Sequence, residues 1–344
     1  MTQKKMRVGV IGCGKVARVL HLNEYSLNPE AEIAAVCDSD KERLDFCMQK
    51  YGAKKAYTDH RKMLAQEKLD AVSVCVPNHV HYAVTMDVLK AGVNVLVEKP
   101  MALTSEHADE MIKTARKQKK LLMVSQTQRF SPVHRRAKEV MDSGLMGKVL
   151  HVATSFGHPG PEGWSPWGQW FFKKDVAGFG PMADLGVHKA DLVRFLTGKE
   201  VDEVSAYTTR SEKEGGDVED NFVSVLRFTD GTVGTLSTSW TVHGTEINYT
   251  YLFCANGTLM ISVLPDKPLV AYMSKPKSTI VFDVPGMQTN VQETWDLGIT
   301  RNFLAAIQGR EKCLVPGEEG KAALDIILAC DEAARTGKSV KVKR

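Results

Sequence analysis

A short apolar run, Arg7 to Ile11 (RVGVI), is followed at once by Gly12-Cys13-Gly14-Lys15-Val16-Ala17, after which residues 16–27 take helical spacing. Strand, glycine turn and helix in that order leave few folds open. The first glycine permits a tight turn, the second lets a ligand approach the backbone, and the small third residue lets helix and strand pack closely. The helix start offers unbonded N–H groups and a positive dipole end to a pyrophosphate. G-x-G-x-x-A alone also describes a plain structural turn, so its context matters. The next strand, 32–37 (EIAAVC), ends at Asp38, where an acid accepts hydrogen bonds from ribose hydroxyls. A dinucleotide site built on Gly12, Cys13, Gly14, Lys15, Val16 and Asp38 is the expectation. Asp38 repels a 2′-phosphate, which points to NAD; Lys41 and Arg43 close by keep NADP as the alternative.

Further apolar runs at 71–76, 94–97 and 121–124 alternate with helical patterns at 41–51, 79–90 and 105–119. Near-continuous apolar strands between helices predict a parallel sheet covered on both faces. Right-handed crossovers then give an N-terminal doubly wound Rossmann domain over 1–125. Beyond it the pattern changes. A helix at 132–143 and a strand at 149–156 precede residues 157–181, rich in Gly, Pro and Trp and without a period. An irregular stretch of that length is more often functional than filler. A helix at 183–196 ends before Gly198, placed to cap it. From Val201 to Val284 the chain reads mainly as strands, with hairpin signals at Asp230-Gly231 and Asn256-Gly257. Helices near 293–308 and 318–336 close it. The fold class is thus α/β, with a second domain at 126–344 of α+β type on a large, mostly antiparallel open sheet. Its terminal helix is able to pack back on the first domain.

Composition narrows the function. A net charge of +4 over 344 residues, with no basic stripe, argues against a nucleic-acid partner. No apolar run approaches the roughly 18 residues of a membrane span, and none suits a signal sequence. Seven scattered cysteines, with no Cys-x-x-Cys pair, read as free thiols in a reducing cytoplasm. No His, Cys and carboxylate spacing matches a zinc site, so metal-free chemistry is expected.

Two motifs sit at the carboxyl ends of predicted strands, where a doubly wound sheet presents its crevice. Val76-Pro77-Asn78-His79-Val80-His81 follows AVSVCV, and Glu98-Lys99-Pro100 follows NVLV. Charges at the end of a buried strand are costly unless paired or functional, which singles out Lys99. In the second domain Asp184, His188 and Asp191 fall at i, i+4 and i+7 of one helix and share a face, beside an apolar stripe of Leu185, Leu192 and Leu196. The 157–181 loop supplies His158, Trp164, Trp167, Gln169, Trp170 and Phe171, suited to a ligand with apolar C–H faces and hydroxyls.

Taken together, GCGKVA, VPNHVH, EKP, QRFSP and GFGPMADLGVHKADLVRFLTG, in this order, resemble the glucose–fructose oxidoreductase / inositol dehydrogenase (Gfo/Idh/MocA) family. The resemblance implies NAD(P)-dependent hydride transfer to or from a secondary alcohol of a sugar, cyclitol or derivative. It makes Lys99 the catalytic-site lysine and Asp184 and His188 the substrate-site acid and histidine. It puts Asn78, His81 and Glu98 at the cofactor, which Lys99 also touches. Pro77, which fixes the turn before Asn78, is expected at the cofactor as well, and Gln128, Arg129, Trp164 and Trp170 are expected with the substrate. It also implies a homodimer or homotetramer formed through the second sheet. His188 is the preferred general base and Lys99 the stabiliser of alkoxide charge, with an exchange of the two roles left open. The chain departs from the commoner pattern at GFGPMADLG, where three glycines are usual, and at Thr127, where asparagine is frequent. These departures bear on the substrate. The rival expectations are an NAD-dependent glycosidase working by transient oxidation and a non-catalytic cofactor sensor.

Overall fold

The computed structural model describes residues 5–163, 165, 168–213, 215–264, 266–285 and 296–343. The chain forms two compact units, Met1–Thr127 with Asn290–Lys321, and Gln128–Thr289 with Ala322–Arg344.

The first unit holds six parallel strands: β1 (Met6–Ile11), β2 (Ala31–Cys37), β3 (Lys55–Tyr57), β4 (Ala71–Val74), β5 (Asn94–Val97) and β6 (Leu122–Val124). Their order is β3-β2-β1-β4-β5-β6. The order reverses between β1 and β4, so the loops after β1, β2, β4 and β5 rim the crevice where such sheets bind ligands. Val8, Val10, Val72, Val95 and Leu96 are fully buried, as the unbroken apolar runs require. The helix Lys41–Tyr51 starts on Asp40, whose carboxylate accepts the Glu42 and Arg43 N–H groups, and stops at Gly52 with φ +68°. β3 and the helix His60–Gln66 went unpredicted. KAY is too short and too polar to show a period.

The segment 296–321, placed with the second domain by the linear division at 125/126, lies in the first unit. Its anchor is Glu24, 2% exposed. Glu24 accepts hydrogen bonds from the N–H groups of Leu297, Gly298 and Thr300 and from the Thr300 hydroxyl. It thereby satisfies the open start of the helix Ile299–Ile307. That helix begins after Gly298, at φ +82°; residues 293–295 of the expected 293–308 helix lie outside the described residues.

The second unit is built on nine strands: β7 (Val149–Gly157), β8 (Val201–Thr209), β9 (Asn221–Phe228), β10 (Val233–Ser239), β11 (Ile247–Cys254), β12 (Gly257–Leu264), β13 (Lys267–Ser274), β14 (Lys277–Val281) and β15 (Val340–Lys341). The order is β14-β13-β12-β11-β7-β10-β9-β8-β15, antiparallel throughout except for the β7–β10 pair. One face is covered. Phe222, Leu226, Leu236, Leu252 and Leu259 pack with Val133, Ala137, Leu192 and Leu196 from two helices and Ile326, Ile327 and Cys330 from the last one. The alternate residues Tyr207, Val223, Val225, Phe253 and Tyr272 are exposed, which leaves an apolar outer face.

Candidate active site

The glycine loop of the first unit separates two jobs. Gly12 has φ +89°, and a Cβ there would lie 2.3 Å from the Cys75 carbonyl oxygen, so only glycine lets β1 and β4 come this close. A Cβ on Gly14 would meet nothing within 4 Å. The space above Gly14 is therefore open to a ligand. The Cys13 N–H donates to Asp38 Oδ2 at 2.6 Å, and the Asp40 N–H to Oδ1 at 2.9 Å. Asp38 is thus held against the loop at the end of β2. Lys15 is exposed and Val16 half-buried at the helix start. An open glycine backbone, a helix N-terminus and a fixed acid beside it suit a dinucleotide such as NAD.

The two motif loops are tied to each other. Pro77 precedes the helix Asn78–Lys90, and Asn78 is 7% exposed. His81, 1% exposed, is turned inward: Nδ1 lies 2.7 Å from the Pro100 carbonyl oxygen and Nε2 2.8 Å from that of Val76. Burial pushes its pKa down against the pull of these carbonyls. His81 therefore couples the VPNHVH and EKP loops. Glu98, at the end of β5, is also buried. Its Oε1 meets Nε2 of His21 at 2.8 Å, and its Oε2 accepts the Lys99 N–H at 3.3 Å. Burial opposes ionisation of Glu98, but His21 and Lys99 outweigh it and hold the pKa down to about 2. Lys99 is half-buried beside this pair. His21 was missed because it sits within an apolar helical run, VLHLNEY; a polar residue on that buried face was the available signal.

In the second unit a π turn, Met182–Gly186, leads into the helix Val187–Thr197. Such turns recur at functional positions. The start of the π turn is held by Glu219, whose Oε1 accepts the Met182 N–H at 3.1 Å. A Cβ on Gly180 would lie 1.9 Å from the Glu219 carbonyl oxygen, so GFGP packs here through its glycine. Asp184 and His188 are each 7% exposed, which rules out solvated surface groups. Asp184 Oδ2 accepts the indole N–H of Trp240 at 3.2 Å and faces His158 Nε2 at 3.5 Å. Because His158 Nδ1 accepts the Gly160 N–H at 3.0 Å, its proton sits on Nε2, toward Asp184. Trp240 directly follows β10 and belongs to none of the sequence motifs.

The remaining expected residues divide by environment. Asp191 is fully buried and grips Arg129 through Nε and Nη2, both at 2.7 Å. The guanidinium is thus engaged inside the unit by a bidentate, charge-assisted contact. Gln128 donates to Asn248 Oδ1 at 3.3 Å, while its buried Oε1 has no partner among the described residues. That acceptor suits a hydroxyl. Trp170 stacks on Phe171 at 3.9 Å, and Phe171 and Phe172 meet the Trp240 ring edge-on. Trp164 and Trp167 lie outside the described residues. Beside His188, Lys189 is fully buried; burial pushes its pKa down to about 7. Among the described residues no group of three or more His, Cys, Asp or Glu is placed to hold a metal ion, and no helix is long and apolar enough to cross a membrane.

Residues 6–126 match a family model described as the GFO_IDH_MocA oxidoreductase family, NAD-binding Rossmann fold, and residues 134–260 match the GFO/IDH/MocA C-terminal domain. A D-glucoside 3-dehydrogenase of Escherichia coli (strain K12) is 29% identical, covering 99% of each chain. A myo-inositol 2-dehydrogenase of Thermotoga maritima (strain ATCC 43589 / DSM 3109 / JCM 10099 / NBRC 100826 / MSB8) is 27% identical over 98% of this chain and 99% of its own. Among solved structures, a levoglucosan dehydrogenase in complex with NADH and levoglucosan superposes with a TM-score of 0.86 at 21% identity, covering 99% of this chain and 100% of that one. That likeness shows the same fold.

Proposed function

Because the chain belongs to the GFO/IDH/MocA family of NAD-binding oxidoreductases, we propose that it transfers hydride between nicotinamide and a secondary alcohol or ketone of a sugar, cyclitol or sugar derivative. The observation that carries this reading is the buried, polar Asp184–His188 turn, with Asp184 fixed by Trp240 and His158. Groups so held suit the recognition of hydroxyls. The names of the relatives, a glucoside dehydrogenase and an inositol dehydrogenase, support the substrate class.

Bound NAD supplies a hydride acceptor at the nicotinamide ring. Gly12, Cys13, Gly14, Lys15 and Val16 would hold its pyrophosphate, and Asp38 its ribose, with preference over NADP. Lys99 donates a hydrogen bond to the reacting oxygen and stabilises the charge that develops there. His188 takes the hydroxyl proton, since an imidazole titrates in the range this transfer needs. Asp184 accepts a hydrogen bond from a neighbouring hydroxyl, and Gln128 and Trp170 add a polar and an apolar contact to the substrate. The test is a screen of sugars, cyclitols and sugar acids with NAD and with NADP, read at the NADH absorbance. Turnover of at least one polyol with NAD supports the reading, and no turnover across the panel by an NAD-binding protein contradicts it.

The exposed sheet face bears Tyr207, Val223, Val225, Phe253 and Tyr272, an apolar surface of the kind that pairs with another copy. Homodimer or homotetramer formation through it is part of the proposal. Light scattering on a Val225→Lys variant tests it: a smaller species supports the pairing, and an unchanged mass contradicts it. The seven cysteines are all free thiols, which supports a cytoplasmic location.

A further inference from the structure

His21 belongs to the helix that opens at the glycine loop, yet it is fully buried and reaches the end of a different strand. The helix takes a π turn over Ala17–Leu22 before continuing as Asn23–Leu27, and His21 lies within that turn. Both ring nitrogens are used. Nδ1 lies 3.1 Å from Ser73 Oγ on β4, and Nε2 2.8 Å from Glu98 Oε1 after β5. Ser73 Oγ also meets Tyr25 OH at 3.0 Å. The ionisable groups facing the ring are Cys75 and Glu98. Burial alone would strip the proton from His21, but these neighbours raise its pKa well above the ordinary value. Glu98 is held ionised. The result is a buried His21–Glu98 pair, joined through Glu98 Oε2 to the main-chain N–H of Lys99. A buried ion pair is a weak device for stability, since apolar residues of the same volume serve as well or better. Its use here is geometric: it ties the turn carrying Lys99 to the helix carrying the dinucleotide loop.

We propose that His21 is a positioning residue for the reaction, acting through the Glu98 carboxylate to fix the turn from which the Lys99 side chain departs. This rests on the functional role assigned to Lys99 above. Because the His21 ring hydrogen-bonds Ser73 and Glu98, at the ends of other strands than the one leading into the glycine loop, its removal should spare cofactor affinity and strike turnover.

The experiment compares the full-length protein with His21→Gln, Glu98→Gln, the double variant and Lys99→Met. Each is assayed for NADH binding by fluorescence and for kcat and KM with the best substrate among D-glucose, methyl α-D-glucopyranoside and myo-inositol. His21→Gln is expected to lower kcat by about tenfold or more, with the NADH Kd within about threefold of the parent. The double variant is expected to be no worse than the poorer single one, since both changes break one chain of contacts. Unchanged kcat in His21→Gln, or losses that multiply in the double variant, overturns the proposal. If Lys99→Met abolishes turnover while His21→Gln does not, the proposal alone falls; if Lys99→Met turns over normally, the reading falls and takes the proposal with it. Should His21→Gln not fold, nitrogen NMR of the parent and of Glu98→Gln decides. The His21 ring titrates above the ordinary imidazole value of about 6.5 in the parent and falls back toward it in Glu98→Gln, because the two side chains are in contact. A His21 titration that Glu98→Gln leaves unchanged contradicts the proposal.

Discussion

The indole N–H of Trp240 meets Oδ2 of Asp184 at 3.2 Å, across 56 residues of sequence. Trp240 is fully buried, with the Phe171 and Phe172 rings edge-on against it. The donor that orients the acid is thus itself locked by aromatic packing, so Asp184 has a defined direction before any substrate arrives. Trp240→Phe keeps most of the packing and removes the donor. We expect a loss of about tenfold in kcat/KM, with NADH affinity unchanged, because a buried hydrogen bond to a charged group contributes about 1.5–3 kcal/mol. Steady-state kinetics together with fluorescence titration of NADH would check it.

The two loop glycines should fail in different ways. Gly12→Ala places a methyl 2.3 Å from a main-chain oxygen at φ +89°, so the protein should lose stability by several kcal/mol or not fold. Gly14→Ala meets no neighbour within 4 Å. It should melt within about 2 °C of the parent yet bind NADH about tenfold or more weakly, since the methyl fills the space a pyrophosphate needs. Melting curves and NADH titrations of the two variants distinguish a folding glycine from a binding glycine.

Glu219 links the turn at Met182–Gly186 to pH. Burial pushes its carboxyl from 4.5 up to about 7, against the N–H groups of Gly180, Glu219 and Met182. A folded-state pKa above the unfolded one means stability that is fully present below pH 4.5 and lost as pH rises through about 7. Glu219→Gln keeps an acceptor for the Met182 N–H and does not titrate. Its melting temperature relative to the parent should therefore rise between about pH 5 and pH 8, with a gain at pH 8 of roughly 2–4 °C for each kcal/mol. Calorimetry at the two pH values measures it. An equal offset at both would mean that Glu219 is not the titrating group.

What the sequence revealed and what it concealed follow from range. Gly12, Gly14 and Asp38 were legible because a strand, a tight turn and a helix are local events, with Asp38 one strand further on. Asp184 and His188 were visible as residues four apart on an expected helix, although Asp184 stands in the π turn that leads into the helix of His188. The contacts that hold them were not. His21 meets Glu98 across 77 residues, and Glu24 caps a helix 276 residues away at Thr300. Nothing in local periodicity encodes either. The burial of Arg129 against Asp191 was hidden for the same reason, since spacing shows a charge but not its partner. Helix starts were also imprecise where glycine set them, as at Gly298.

The central claim is that His188 takes the proton in a hydride transfer by this family member. His188→Asn, in the full chain with its best substrate, isolates that step. A general base contributes typically about 10²–10⁴-fold, so kcat should fall by that factor while NADH binding stays within about threefold. A kcat within about twofold of the parent would contradict the account.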